Sequence, residues 1–125
     1  MNKLYKLILR SVPLLSKNQG NYRHFTWILD GRTPICYGIN SITKTHPFAY
    51  KHKYKSFLQH SEVNSIIRFP YDIKYLKQCI AFNIRFGKQN KVLLSKPCGS
   101  CYDLLRKFKI KSIYYTDNNG NIQCL

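Results

Sequence analysis

Glu62 is the only glutamate among 125 residues, and it follows a histidine by two positions in His60-Ser61-Glu62. Downstream the chain reads Pro97-Cys98-Gly99-Ser100-Cys101. One imidazole, two ionisable thiols and a carboxylate are the groups that hold a zinc ion and move protons beside it. One His and two Cys fill three corners of a tetrahedron and leave the fourth for water, as in catalytic sites; structural sites are closed by four protein ligands. A Cys-x-x-Cys pair alone would equally suit a redox couple or a structural zinc ribbon. The chain has no second such pair, and a His-x-Glu precedes this one. The candidate ligands are therefore His60, Cys98 and Cys101, with one zinc per chain and Glu62 as the proton carrier.

These groups must be brought together by elements far apart in the chain. Cys98 and Cys101 lie three apart, so both thiols face one way in the first turn of a helix starting at Cys98 or Gly99 and running through Phe108. A helix N-terminus favours thiolate, and Pro97 suits a helix start because its missing N–H needs no partner there. His60 and Glu62 pose a difficulty, since residues two apart inside a helix point to nearly opposite sides. The motif works only at the start of a helix, here one beginning near His60 and stopped by Pro70.

The rest of the pattern is that of an α/β layer protein. Leu4, Leu7, Ile8, Val12 and Leu15 predict a first helix over residues 3 to 16, kinked or ended by Pro13. Phe25 to Leu29 and Ile35 to Ile39 predict a hairpin turning at Asp30-Gly31. Cys79 to Phe86, Val92 to Leu94 and Ser112 to Thr116 predict further strands, with a short turn over 71 to 78 and a loop over 43 to 58. After Asp117-Asn118-Asn119-Gly120 a last strand over 122 to 125 must return antiparallel, because a parallel return needs a crossover of roughly a dozen residues. Phe82-Asn83 and Tyr114-Tyr115 read as strand residues only.

The chain is long enough for one core, so residues 1–125 are expected to form one domain. No apolar run approaches the ~20 residues that span a bilayer, and no membrane partner is expected. Leu4 to Leu15 reads as a helix rather than a targeting segment, because Arg10 and Pro13 interrupt it and no small-residue cleavage pattern follows. Five cysteines do not suit a complete disulfide framework. Cys36 and Cys79 read as buried thiols of a reducing, intracellular and cytoplasmic setting (the host cell's, if the chain is viral). Cys124, His24 and His52 receive no assigned role.

Twenty-one Lys and Arg face five acids, a net charge of +16, and no acid precedes Asp30. The acid-free stretch from Gly31 to Ser61 carries Lys44, Lys51, Lys53 and Lys55 with His46 and His52. A Lys- and Asn-rich chain can reflect an A+T-rich genome, but such bias does not forbid Glu. The balance points to a polyanionic partner or substrate, drawn in by the field. Tyr50 and Tyr54 interleave with the lysines and would either stack bases or pack on the core.

Through His60-Ser61-Glu62 and Pro97-Cys98-Gly99-Ser100-Cys101 the sequence resembles the cytidine deaminase superfamily, over roughly residues 25 to 116. It looks closest to small phage- and virus-type deoxycytidylate or cytidine deaminases, also through Gly38-Ile39-Asn40 and Lys44 to Pro47. The resemblance implies a three-layer α-β-α fold with a mixed sheet of about five strands and helices on both faces. It implies a zinc-activated water attacking C4 of cytosine, with ammonia leaving and a uracil product. It also implies that Asn40 bonds the sugar or base, and that the backbone from Ser95 to Cys98, at the helix start formed by Pro97 and Cys98, reads the exocyclic amine. Asn40 is alternatively a plain turn residue. Lys44 and His46 become candidate contacts to a substrate phosphate.

Three functions follow. The first is deamination of a free pyrimidine nucleotide or nucleoside. It is favoured because no C-terminal helices follow of the kind that polynucleotide-editing branches are similar in having. The second is deamination of cytosine in single-stranded DNA or RNA, favoured by the charge. The third is a non-catalytic zinc module that coats nucleic acid, which would have no use for Glu62. The zinc motif by itself leaves adenine open. A homo-oligomer is allowed if its cationic protomers are neutralised by phosphate or nucleic acid.

Overall fold

A computed structural model describes residues 2–17, 23–40 and 60–125. The loop expected over 43 to 58, with Lys44, His46, Tyr50, Lys51, His52, Lys53, Tyr54 and Lys55, lies outside the described residues. In chain order the elements are α1 (Asn2–Ser11), β1 (Arg23–Asp30), β2 (Thr33–Ile39), α2 (Ser61–Ile67), β3 (Cys79–Phe86), β4 (Val92–Leu93), α3 (Gly99–Lys107), β5 (Ser112–Thr116) and β6 (Ile122–Cys124). Short 3-10 segments cover Val12–Lys17, Ile73–Gln78 and Lys88–Asn90.

The strands form one mixed sheet in the order β2-β1-β3-β5-β6. β3 and β5 are parallel, and the other pairs are antiparallel, including the return of β6 along β5. Among the described residues the sheet has six strands, one more than the resemblance implied. The sixth is the two-residue β4, which pairs with β3 at Arg85↔Leu93 and Phe86↔Val92, beyond the stretch of β3 that β5 occupies.

Strand alternation divides the core into two layers. Phe25, Trp27 and Leu29 of β1 join Phe82, Ile84 and Phe86 of β3 under Leu4 and Leu7 of α1. On the other face Ile28 and Ala81 meet Val63 and Ile66 of α2 and Leu104 and Leu105 of α3. Helices thus cover both faces, as a three-layer α-β-α architecture requires.

The first helix is shorter than its apolar period predicts. Pro13 cannot donate to the Leu9 carbonyl and disfavours helical backbone at Val12, so the chain tightens into a 3-10 turn after Ser11. The Ser11 hydroxyl donates back to the Leu7 carbonyl at 2.7 Å and accepts from the Trp27 indole N–H at 2.9 Å, tying α1 to the sheet. The β1–β2 hairpin turns through Gly31 and Arg32, with Gly31 at φ 60, and Asp30 faces Thr33. Pro34 is tolerated because β2 is an edge strand among the described residues.

Candidate active site

Helix α2 begins immediately after His60, whose backbone is extended at φ −78, ψ 158. Its carbonyl already accepts from the Asn64 N–H at 3.0 Å. The change from extended to helical backbone lets the imidazole project beyond the helix end while Glu62 stays in the first turn. The i, i+2 difficulty is thereby removed. The ring makes no capping bond.

Helix α3 opens the same way, with Cys98 extended at φ −67, ψ 167 and its carbonyl accepting from the Tyr102 N–H at 2.8 Å. The helix starts where expected, with Cys98 as its cap and Gly99 as its first residue. Pro97 stands just before the cap, where its ring biases Lys96 toward extended backbone. Cys101 is fully buried and Cys98 is exposed.

The two helix starts converge. His60 Nδ1 lies 3.3 Å from Cys101 Sγ and 3.8 Å from Cys98 Sγ, and the three ligand atoms all fall within 4.8 Å of one another. This group could hold a metal ion. A hydrogen bond from the Cys101 side chain, then one from its backbone N–H and the charge of His60, hold the Cys98 thiol down to about 5; burial and the Glu62 charge oppose them. Cys98 is thus a ready thiolate.

Glu62 is 5% exposed, and a closed circuit of side chains surrounds it. Ser61 donates to Glu62 Oε1 at 3.2 Å and Asn83 Nδ2 donates to Glu62 Oε2 at 3.0 Å. Thr26 donates to Asn83 Oδ1 at 2.7 Å, and the Thr26 and Ser61 hydroxyl oxygens are 2.8 Å apart. Reading Asn83 as a mere strand residue is therefore a miss. The signal was present: a lone amide in Cys79-Ile80-Ala81-Phe82-Asn83-Ile84, at a position whose parity matches Ala81 and so faces α2.

No family model and no curated protein matches the chain. Among solved structures it is similar to the crystal structure of cytidine deaminase from Mycobacterium leprae, with a TM-score of 0.55 over 94% of this chain and 88% of that one, at 13% identity. The fold is cytidine-deaminase-like. At that identity the likeness is one of architecture, and it agrees with the layering expected above.

Within this cytidine-deaminase-like fold the remaining candidates take varied places. Ser95 is buried and committed to the framework. Its hydroxyl donates to the Asn83 carbonyl at 2.7 Å and accepts from the Thr116 N–H at 2.8 Å, while its N–H donates to the Thr116 carbonyl at 2.9 Å. Ser95 therefore fixes the approach to α3. Asn40 follows β2, and its Oδ1 accepts from the His24 N–H at 2.9 Å. Lys44 and His46 lie outside the described residues.

His24 emerges beside the site without a signal from the sequence. It faces Arg85 across β1 and β3, one same-face step beyond the Thr26↔Asn83 pair. Burial lowers its pKa, with the Glu62 charge opposing and the charges of Arg85 and His60 adding to the fall.

Among the described residues no helix is long and apolar enough to cross a membrane.

Proposed function

We propose that the protein is a zinc-dependent hydrolytic deaminase that converts cytosine to uracil in a free cytidine or deoxycytidine nucleotide or nucleoside. The observation that carries this reading is the meeting of His60 Nδ1, Cys98 Sγ and Cys101 Sγ at two helix starts, with the Glu62 carboxyl in the first turn of one of them.

The donor set fits zinc. Bonds of ~2.1 Å to nitrogen and ~2.3 Å to sulfur at tetrahedral angles require N···S separations of roughly 3.6 Å. The two observed separations, 3.3 and 3.8 Å, straddle that value. Zinc, when bound, would acidify a water from roughly 15.7 to about 7.

The chain's own residues supply the proton chemistry. Each Glu62 oxygen accepts one hydrogen bond from the circuit and keeps a lone pair for another partner. Glu62 takes a proton from the attacking water and passes it to ring N3, then carries the proton of the new C4 hydroxyl to the amine as the C4 carbonyl forms. Oxygen bonds to C4, the C4–N bond breaks, and ammonia leaves. The circuit tolerates the transfer: Thr26 and Ser61 carry two hydroxyl protons for three oxygen contacts. A proton on Glu62 Oε1 supplies the third, and Ser61 turns its own toward Thr26.

Asn40 is assigned to the sugar or base, the backbone from Ser95 through Pro97 to Cys98 to the exocyclic amine, and Lys44 and His46 to a phosphate. The net charge of +16 favours a second reading, cytosine deamination in single-stranded nucleic acid. β6 returns antiparallel along β5, the arrangement expected for the free-substrate reading.

Purified protein assayed on dCMP, cytidine and a cytosine-containing oligonucleotide at two salt concentrations tests the proposal. Turnover of dCMP or cytidine is the expected result. Turnover of the oligonucleotide alone, falling steeply with salt, would move the assignment to nucleic acid. One bound zinc with no turnover at all would leave a binding module.

A further inference from the structure

We infer that Thr26 and Asn83, a directly opposed pair on β1 and β3, are positioning residues that set the orientation of the Glu62 carboxyl. This inference rests on the reading of Glu62 as proton carrier. Neither residue belongs to either metal-binding motif, and both come from the sheet rather than from α2 or α3.

The argument begins with cost. Thr26, Ser61, Asn83 and Glu62 are all buried, at an interface otherwise made of Ile28, Val63, Ala81 and Leu104. Polar groups there are destabilising unless satisfied, and apolar residues of similar volume would serve stability as well or better. Here the polar side chains satisfy one another in a ring that closes on Glu62. Asn83 spans the site in a second way. Its Nδ2 donates to Glu62 Oε2 and, at 3.2 Å, to the Ser95 carbonyl of the segment leading to Cys98. Thr26 completes the arrangement by donating to Asn83 Oδ1 at 2.7 Å, which leaves Nδ2 as the end that meets the carboxylate. The sheet thus orients the carboxylate on one helix and the ligand-bearing turn before the other from a single amide. A loose carboxylate is expensive catalytically, since a misplacement of ~1 Å costs roughly a hundredfold in rate.

The experiment compares wild type with Thr26→Val, which keeps the shape and removes the hydroxyl, and with Thr26→Ser, which restores it. Zinc content, melting temperature, kcat and KM on cytidine and dCMP, and crystal structures are measured for each. We expect Thr26→Val to keep one zinc per chain, to lower kcat by about tenfold or more and to leave KM within about threefold. Its Glu62 carboxyl should be displaced from Asn83 Nδ2 or spread over several rotamers. Thr26→Ser should recover most of kcat. If Thr26→Val keeps both kcat and the Glu62 position, or loses activity only by losing zinc or fold, the inference fails. Should wild type turn over no substrate, the deaminase reading falls. The Glu62 position in the Thr26→Val crystal structure then decides the positioning role alone.

Discussion

Gly38 packs so closely against Ser65 that a Cβ on Gly38 would collide with the Ser65 backbone N and with the Ser61 carbonyl. β2 and α2 therefore touch backbone to backbone at the turn that carries Glu62. The Ile39 N–H donating to Asn64 Oδ1 at 2.9 Å holds the same contact. Atoms of the helix backbone cannot step aside as a flexible side-chain tip can. Gly38→Ala should thus cost about 3 kcal/mol, at or above the upper end of ordinary overpacking. A fall in melting temperature with reduced zinc retention is the expected outcome. An unchanged melting curve would show that α2 is free to slide away.

Glu62→Gln should keep zinc and lose turnover by at least a hundredfold, the lower range for a lost general acid–base. The amide retains the size of the side chain, and none of the three ligands changes. Zinc content with kcat on cytidine measures both. Substantial residual deamination would remove the proton-carrier assignment.

Cys98 and Cys101 should fail differently although both are candidate ligands of one metal. Cys98 is exposed, so Cys98→Ser should release zinc while the melting temperature of the metal-free protein hardly moves. Cys101 is fully buried in the first turn of α3, so Cys101→Ser places a hydroxyl there at a cost of about 1–3 kcal/mol. Metal analysis alongside thermal unfolding in chelator separates the two effects.

Thiol reactivity should show an unusual order in the metal-free protein. Cys98, held at about 5, is thiolate at neutral pH, and its alkylation should stay on a plateau until the pH falls through that value. Cys36 lies at about 11, raised by burial against the opposing charge of Arg68, so it should gain reactivity only as the pH rises toward that value. Mass spectrometry after brief iodoacetamide treatment between pH 4 and 9 reads both. Zinc should protect Cys98 alone of this pair.

Much of the fold could be read locally. The strands over Cys79–Phe86 and Ser112–Thr116 have the bounds that β-branched and aromatic runs predict, and α2 ends before Pro70 as expected. Pro13 stopped α1 early because a missing donor acts within one turn, where the apolar period extends over several. The short strand expected over Val92 to Leu94 is also present, one residue shorter, at Val92–Leu93. The group that could hold a metal was legible because thiol and imidazole types are scarce and their spacing reflects helix geometry.

The circuit around Glu62 belongs to another kind of information. Thr26, Ser61 and Asn83 are ordinary in their own segments. They become a unit only when β1 pairs with β3 in the register that puts Thr26 opposite Asn83, and when α2 descends onto Gly38. Residue type and spacing dictate what chemistry a chain can attempt, because coordination preferences and helical period are local properties. Which neutral side chains hold the Glu62 carboxylate depends on strand register and helix docking. Those arise from burial summed over the whole core, and no short window of residues contains that sum.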